Sequence, residues 1–249
     1  MPEEGAVAAS VDAGIGTVEF HHPKGNSLPG SLLRRIAENV TKLGGDDDAR
    51  VIVLRSRGER AFCAGASFDE LLAIDGLPRG KEFFMGFARL MLAMRNAPKF
   101  VVTRVQGKAV GGGVGVVSAS DYALAHDSAS IKLSELALGI GPFVIGPAVE
   151  RKIGKAGFTT LAIDADWRDA RWAERCGLYT RLYDSHEDLD RSVAETAERL
   201  AGFSPEAMAE LKRVAWEGTG HWHELLEARA EISGQLVLSA HTRRALENM

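Results

Sequence analysis

The sequence feature that most constrains the fold is an apolar strand that runs into three consecutive glycines and continues as a small-residue helix. The strand pattern covers 100–105, the glycines are Gly111, Gly112 and Gly113, and the helix pattern covers 114–119. Glycine lacks a Cβ, so its backbone can take left-handed angles and bring N–H groups against a ligand. The free N–H groups of a helix N-terminus attract an anionic oxygen. The stretch therefore predicts an oxyanion hole, with close packing of a helix on a strand as the alternative.

Two glycine-rich motifs that bind nucleotides match this stretch less well. A phosphate loop requires Ser or Thr after Gly-Lys, whereas Ala109 follows Gly107-Lys108 here. Residues 113–118 read G-x-G-x-x-S, close to a dinucleotide fingerprint, and Glu135 lies at a suitable distance downstream. The helix before the next strand is too short for that fold, which disfavours a dinucleotide site.

Composition excludes several classes of function. The chain has 249 residues and a net charge of -4, so it has no basic field that would attract nucleic acid or an anionic membrane. No apolar run reaches the roughly 18 residues of a membrane span. The only cysteines are Cys63 and Cys176, and residues 1–10 do not resemble a signal peptide. We therefore expect a protein of a reducing, cytoplasmic compartment, without a nucleic-acid or membrane partner.

Hydrophobic periodicity predicts an α/β chain whose second half is mainly helical. Strand patterns occur at 16–20, 51–54, 100–105, 122–125 and 130–133. Helix patterns occur at 31–43, 82–97, 114–119, 146–153, 158–163, 167–176, 185–201, from 205 onward, and at 224–248. The apolar stripe of the last helix is expected to pack on the body of the protein or on another subunit.

A second small-residue loop, Ala64-Gly65-Ala66, follows an apolar segment and opens into a helix that begins near Phe68. Its backbone amides can approach a ligand in the same way as those of the triple glycine, although a tight loop packed under a helix gives the same pattern. The neighbouring Cys63 has no Cys-His-Asn pattern around it, so a buried structural thiol is the favoured interpretation.

Glu135 is the one carboxylate in an otherwise apolar segment that leads to Pro142. Its neighbours Leu133, Leu136 and Leu138 should remove water from it and raise its pKa, which would suit proton transfer near neutral pH. A structural glutamate that accepts hydrogen bonds from loop amides is the alternative.

No metal site is predicted from the sequence. His221 and His223 flank Trp222 without further ligand residues at metal-binding spacing. Surface or packing roles are favoured for both.

Three stretches together carry a family resemblance: Ala61–Ala66, Gly107–Gly113 and Ser134–Pro142. In order and separation they resemble the enoyl-CoA hydratase/isomerase (crotonase) family across nearly the whole chain. Residues 141–154 look more like the methylglutaconyl-CoA hydratase-like branch than the central crotonases.

The resemblance implies an α/β fold, a crotonase-type spiral of repeated ββα units with a helical C-terminal region. Residues 1–190 would form the spiral core with the acyl-CoA site, and residues 191–249 would take part in trimerisation. A coenzyme A thioester would be the substrate, no separate cofactor would be needed, and the assembly would be a homotrimer or hexamer.

The resemblance also implies roles for individual residues. The amides of Ala66 and Gly112 would hold the thioester oxygen, and Glu135 would be the acid/base. The expected substrate-binding residues are Ala64, Gly65, Phe68, Gly111, Gly113, Pro142 and Phe143.

The chain departs from the family pattern at two positions. Gly115 stands where the family's first glutamate lies, and Ser67 stands where an aspartate is common. The expected reaction is hydration of a 2-enoyl-CoA by Glu135. The alternatives are double-bond isomerisation with Glu135 as sole proton shuttle, a non-catalytic acyl-CoA binder, and a hydrolase with Ser134 or Cys63 as nucleophile.

Overall fold

The computed structural model describes residues 5–247, in which nine strands form two sheets. The strands are β1 Ala6–Asp12, β2 Ile15–His21, β3 Val51–Ser56, β4 Ala61–Cys63, β5 Val101–Val105, β6 Lys108–Val110, β7 Tyr122–His126, β8 Ile131–Lys132 and β9 Arg181–Tyr183. The large sheet has the order β1-β2-β3-β5-β7-β9, and the small sheet has the order β4-β6-β8. Among the paired strands of residues 5–247, only β1 and β2 are antiparallel.

Ten helices complete the described chain, apart from a 3₁₀ turn at Leu136–Leu138. They are α1 Gly30–Gly44, α2 Phe68–Leu72, α3 Leu77–Asn96, α4 Gly112–Ala119, α5 Gly146–Asp164, α6 Ala170–Arg175, α7 His186–Ala201, α8 Pro205–Ala215, α9 Trp222–Leu236 and α10 Ala240–Glu247. Local capping explains several starts. The Ser185 hydroxyl caps α7 by accepting a hydrogen bond from the Asp188 amide, and the Ser204 hydroxyl caps α8 by accepting one from the Ala207 amide.

From β3 to β8, successive strands alternate between the two sheets. β3, β5 and β7 are parallel neighbours in the large sheet, and β4, β6 and β8, which follow them, are parallel neighbours in the small sheet. Helices α3, α4 and α5 come after the successive strand pairs. The predicted α/β class with repeated ββα units is therefore confirmed.

The main core packs α1, α3 and α4 against the large sheet, and α7 covers part of its opposite face. The predicted strand at 51–54 is buried on both faces, since Val51, Ile52 and Leu54 are fully buried. In the small sheet β4 and β6 are parallel neighbours, so their ends and the loops that follow them lie side by side.

Several predicted boundaries were wrong. β1, β4, β6 and β9 were not predicted as strands, because β1 is an exposed edge strand without apolar alternation and the other three have only three residues each. Helix α3 begins at Leu77, five residues before the predicted start, with Pro78 in its first turn. The segments predicted at 146–153 and 158–163 form a single range, α5, with a backbone break at Gly154.

The C-terminal region also differs from prediction. The helix predicted at 224–248 is two helices, α9 and α10, separated at 237–239, and its predicted end at Asn248 lies outside the described residues. The predicted helix at 167–176 starts only at Ala170, because Asp169 caps it and Arg168 forms an extended bridge with Ile131. The expected boundary at residue 190 falls inside α7. Helix α9 packs on α3 of its own chain, so its apolar stripe has an intramolecular partner.

Candidate active site

The loop at 64–66 is fixed by two backbone hydrogen bonds to Leu28. The Leu28 amide donates to the Gly65 carbonyl at 2.8 Å, and the Ser67 amide donates to the Leu28 carbonyl at 3.1 Å. Gly65 has a φ of +92°, and a Cβ there would lie 3.2 Å from the Val110 carbonyl oxygen. Glycine is therefore required at this position for both conformation and space.

The triple-glycine loop is fixed in a similar way. The Gly111 amide donates to the Lys132 carbonyl at 2.9 Å, and Gly111 has a φ of +52° immediately before α4. A Cβ at Gly112 would lie 2.4 Å from the Phe87 ring. The first residue of α4 is thus held between an aromatic wall and the left-handed turn before it.

The two amides that the resemblance assigns to an oxyanion hole are both unused by the fold. The bridge between Leu28 and Ala66 uses the carbonyl and amide that flank Ala66, and so leaves the Ala66 N–H facing away from Leu28. Gly112 is the first helical residue and has no acceptor one turn back. Within residues 5–247, neither N–H group donates to a protein acceptor.

These loops line one cavity of about 450 Å³, walled mainly by apolar side chains. Nine of the predicted site residues lie on it: Ala64, Gly65, Ala66, Phe68, Gly111, Gly112, Glu135, Pro142 and Phe143. Gly113 does not line it. A Cβ at Gly113 would lie 2.6 Å from the Cys63 carbonyl oxygen, so this glycine permits close packing of α4 on β4.

Glu135 lies beside the glycine loop, immediately before the 3₁₀ turn. Its Oε1 is 3.0 Å from the Cβ position of Gly111, and its Oε2 is buried without a hydrogen-bond partner. Burial raises the pKa of Glu135 to about 7, although hydrogen bonds from the Glu135 and Ser134 backbone oppose this shift. Leu136 is half exposed, contrary to expectation. A pKa near 7 suits Glu135 to proton transfer at neutral pH.

This pKa predicts a pH-dependent stability difference between the parent protein and Glu135→Gln. A carboxyl group whose folded-state pKa is raised stabilises the fold fully below its unfolded value of 4.5, and that contribution is lost as the pH rises through about 7. The amide does not titrate. Chemical denaturation would measure the free energy of unfolding of both proteins at pH 4.5 and pH 8. Between these two pH values, we expect the difference in unfolding free energy to shift in favour of the variant by on the order of 2–3 kcal/mol. A pH-independent difference would contradict the raised pKa.

The two departures from the family pattern have local structural explanations. The Ser67 hydroxyl caps α2 by accepting a hydrogen bond from the Glu70 amide at 3.3 Å. A Cβ at Gly115 would lie 2.5 Å from Cγ2 and 2.7 Å from Cβ of Ile145, a residue that lines the cavity. Ile145 therefore fills the space that a side chain at position 115 would need, and its role could not be read from the sequence.

The two candidate nucleophiles have different environments. Burial raises the pKa of the Cys63 thiol to about 12, and Cys63 does not line the cavity. A thiol that is buried and lies off the cavity does not fit the role of nucleophile. Ser134 does line the cavity, but none of the histidines in the described chain does.

Two further groups that were not predicted from the sequence line the cavity. Three phenylalanines of α3 form one wall: Phe83, Phe84 and Phe87. Ser233 of α9 lines the same cavity. The α3 residues follow helical spacing, a signal that equally indicates a core face.

No helix in the described chain is both long and apolar enough to cross a membrane. Residues 5–247 also contain no cluster of three His, Cys, Asp or Glu side chains that could hold a metal ion. His221 and His223 are both exposed.

Known proteins resemble this chain in sequence and structure. A probable enoyl-CoA hydratase of Rhizobium meliloti is 30% identical over 78% of the chain and 75% of its own length. A (7aS)-7a-methyl-1,5-dioxo-2,3,5,6,7,7a-hexahydro-1H-indene-carboxyl-CoA hydrolase of Rhodococcus jostii is 33% identical over 76% of the chain and 71% of its own length. These names differ in reaction, so similarity alone does not assign one to this chain.

The crystal structure of an enoyl-CoA hydratase from Bacillus halodurans superposes with a TM-score of 0.89, covering 98% of this chain and 99% of that one at 21% identity. The predicted crotonase-type fold is therefore confirmed. None of these three proteins supports the methylglutaconyl-CoA hydratase-like branch, which stays a prediction. The family model for enoyl-CoA hydratase/isomerase matches residues 10–244. With nearly the whole chain matched, this protein belongs to the enoyl-CoA hydratase/isomerase family.

Proposed function

We propose that this protein transfers a proton between carbons of an acyl-CoA thioester through an enolate, and that Glu135 is the acid/base. The observation that carries the proposal is the unpartnered Oε2 of Glu135 on the same cavity as the unused amides of Ala66 and Gly112. Removing a proton next to a thioester places negative charge on its oxygen. Two fixed N–H donors would stabilise that charge, each worth roughly 3–4 kcal/mol in comparable sites.

Isomerisation of a 3-enoyl-CoA to a 2-enoyl-CoA is the reaction that this geometry supports best. Glu135 would take a proton from C2, the double bond would move towards the thioester, and the same carboxyl group would return the proton to C4. The other carboxylate on the cavity, Asp69, is largely exposed and paired with Lys24. Ile145 fills the place of a second acid/base at position 115.

Hydration of a 2-enoyl-CoA is the second candidate, because it is the activity named for the Rhizobium meliloti relative. It requires a water molecule that is activated and held beside C3. An assay of 3-enoyl- and 2-enoyl-CoA in H₂¹⁸O separates the two reactions. Conversion of the 3-enoyl to the 2-enoyl thioester without ¹⁸O uptake would support isomerisation, and a ¹⁸O-labelled 3-hydroxyacyl product formed at a comparable rate would contradict it.

Substitutions that enlarge the side chain at position 115 and shorten the one at position 145 test why a second carboxylate is absent. Gly115→Glu alone is expected to destabilise the protein, because its Cβ would overlap Ile145. The double variant Gly115→Glu/Ile145→Gly makes room, and we expect it to raise the ratio of hydration to isomerisation at least about tenfold. Ile145→Gly alone is the control. An unchanged ratio in a folded double variant would contradict the steric explanation.

Two other interpretations, a non-catalytic acyl-CoA binder and a hydrolase, can be tested on the parent protein. A non-catalytic acyl-CoA binder would show affinity for acyl-CoA without turnover of either substrate. A hydrolase that uses Ser134 would form an acyl-enzyme detectable by mass spectrometry. A homotrimer or hexamer in the cytoplasm remains our expectation, and sedimentation would measure the oligomeric state.

A further inference from the structure

Ser233 combines burial, position and an unmet hydrogen-bonding capacity. It lies near the C-terminal end of α9, is 1% exposed, and lines the cavity. Its Oγ is buried without a hydrogen-bond partner. The proposed proton-transfer mechanism assigns this hydroxyl no role.

A buried serine within a helix normally satisfies its hydroxyl on the helix backbone. Ser118 does so in α4, where its Oγ donates to the Val114 carbonyl at 2.8 Å. Ser233 makes no such bond to Arg229, one turn back in α9. An unpaired buried hydroxyl destabilises the fold, so a partner supplied by an occupant of the cavity would recover free energy.

The position of Ser233 is fixed by the adjacent glycine contact. A Cβ at Gly80 would lie 2.9 Å from the Gly234 Cα, and a Cβ at Gly234 would lie 2.8 Å from the Lys81 amide nitrogen. Helices α3 and α9 therefore meet backbone to backbone beside Ser233. This contact prevents α9 from moving towards α3 to find another partner for the hydroxyl.

Contacts along helix α3 indicate how far Ser233 lies from the glycine loop at Gly112. Gly80 contacts α9 beside Ser233, whereas Phe87, further along α3, contacts Gly112. Seven residues of α-helix rise on the order of 10 Å. Ser233 therefore lies towards a part of the cavity remote from the unused Gly112 amide.

We propose that Ser233 is a specificity-determining residue that donates a hydrogen bond to a neutral oxygen on the acyl chain, remote from the thioester. The proposal rests on the acyl-CoA function proposed above. A hydroxyl or keto oxygen fits better than a carboxylate, because the one cationic side chain on the described cavity wall, Lys24, is paired with Asp69. The rest of the wall is mainly apolar, and would bind the methylene chain between the two polar ends.

Binding of matched saturated acyl-CoA thioesters tests this proposal without turnover. Calorimetry would compare chains of six, eight and ten carbons, each ending in a methyl, a hydroxyl, a methyl ketone or a carboxylate. We expect the parent to prefer the hydroxyl or ketone at one chain length, and Ser233→Ala to weaken that complex about tenfold while leaving the methyl-ended chain within twofold. Ser118→Ala, a buried serine with an internal partner, should leave the preference unchanged.

The outcomes separate this proposal from the proposed function. A parent that binds none of the thioesters would overturn both. A parent that binds them with the same preferences as Ser233→Ala would overturn the role of Ser233 alone, and a carboxylate that binds tightest would overturn the neutral acceptor. Thermal melting checks the fold, and Ser233→Ala should not lower Tm, because it removes an unpaired hydroxyl and introduces a good helix former.

Discussion

Glu135→Gln is expected to lower turnover of a 3-enoyl-CoA about 10³-fold and to leave acyl-CoA affinity within about tenfold of the parent. The amide has nearly the same shape as the carboxyl group but cannot accept the C2 proton. The unused amides of Ala66 and Gly112 remain in place, so the thioester oxygen keeps its donors. Steady-state kinetics and binding of a saturated acyl-CoA would measure the two effects separately.

The pH profile and a second carboxylate variant complete this test. A base with a pKa of about 7 predicts that kcat/KM of the parent falls about tenfold per pH unit below 7 and levels off above it. Asp69→Asn, which changes the exposed carboxylate on the same cavity, should lower turnover by less than about tenfold. Retained activity in Glu135→Gln, or an equal loss in Asp69→Asn, would mean that the acid/base is another group.

Asp121→Asn is expected to destabilise the fold by about 3–5 kcal/mol, because it leaves the buried Lys212 ammonium without its counter-ion. The Lys212 Nζ lies 2.9 Å from Asp121 Oδ2, and their side chains are 3% and 10% exposed. Asp121 also accepts hydrogen bonds from the Val101 amide and the Trp216 indole. Burial lowers the pKa of Lys212, while Asp121 opposes this shift. One pair thus joins α8 to the start of β5 and to β7.

Thermal melting at fixed protein concentration would measure this effect, and we expect Tm to fall by about 10 °C or more. Adding Lys212→Met should recover part of the loss, because it removes the uncompensated charge. The matched control is Asp75→Asn, which breaks the exposed ion pair with Arg79 and should cost less than about 1 kcal/mol. Equal losses in the two asparagine variants would contradict the importance of burial.

Local chemistry made much of the site predictable. Gly65 and Gly111 both have positive φ, a requirement of the backbone itself that selects glycine in the sequence. The capping serines Ser185 and Ser204 act on amides within three residues, so their helix starts were visible in the sequence. The buried parallel strand at 51–54 was visible as a continuous apolar run.

Where local signals were weak or ambiguous, prediction failed. The start of α3 was placed five residues late, although Pro78 marks its first turn. Edge strand β1 has no apolar face to produce an alternating pattern, because most of its residues are exposed. The prediction of one helix at 224–248 missed the break at 237–239, because the apolar stripe continues in the sequence across both helices.

By itself, the sequence determined the two glycine loops and the isolated glutamate that follows them in an apolar segment, because each depends on neighbouring residues, whereas the repeated ββα units were implied by the family resemblance. Only the tertiary structure decided which side chains fill the space around the cavity. Ile145 occupies the place of a side chain at Gly115, and Gly113 packs on Cys63 instead of facing the cavity. Ser233 reaches that cavity because α9 folds back onto α3. These contacts join residues far apart in the chain, and close packing in three dimensions, which no local pattern encodes, fixes them.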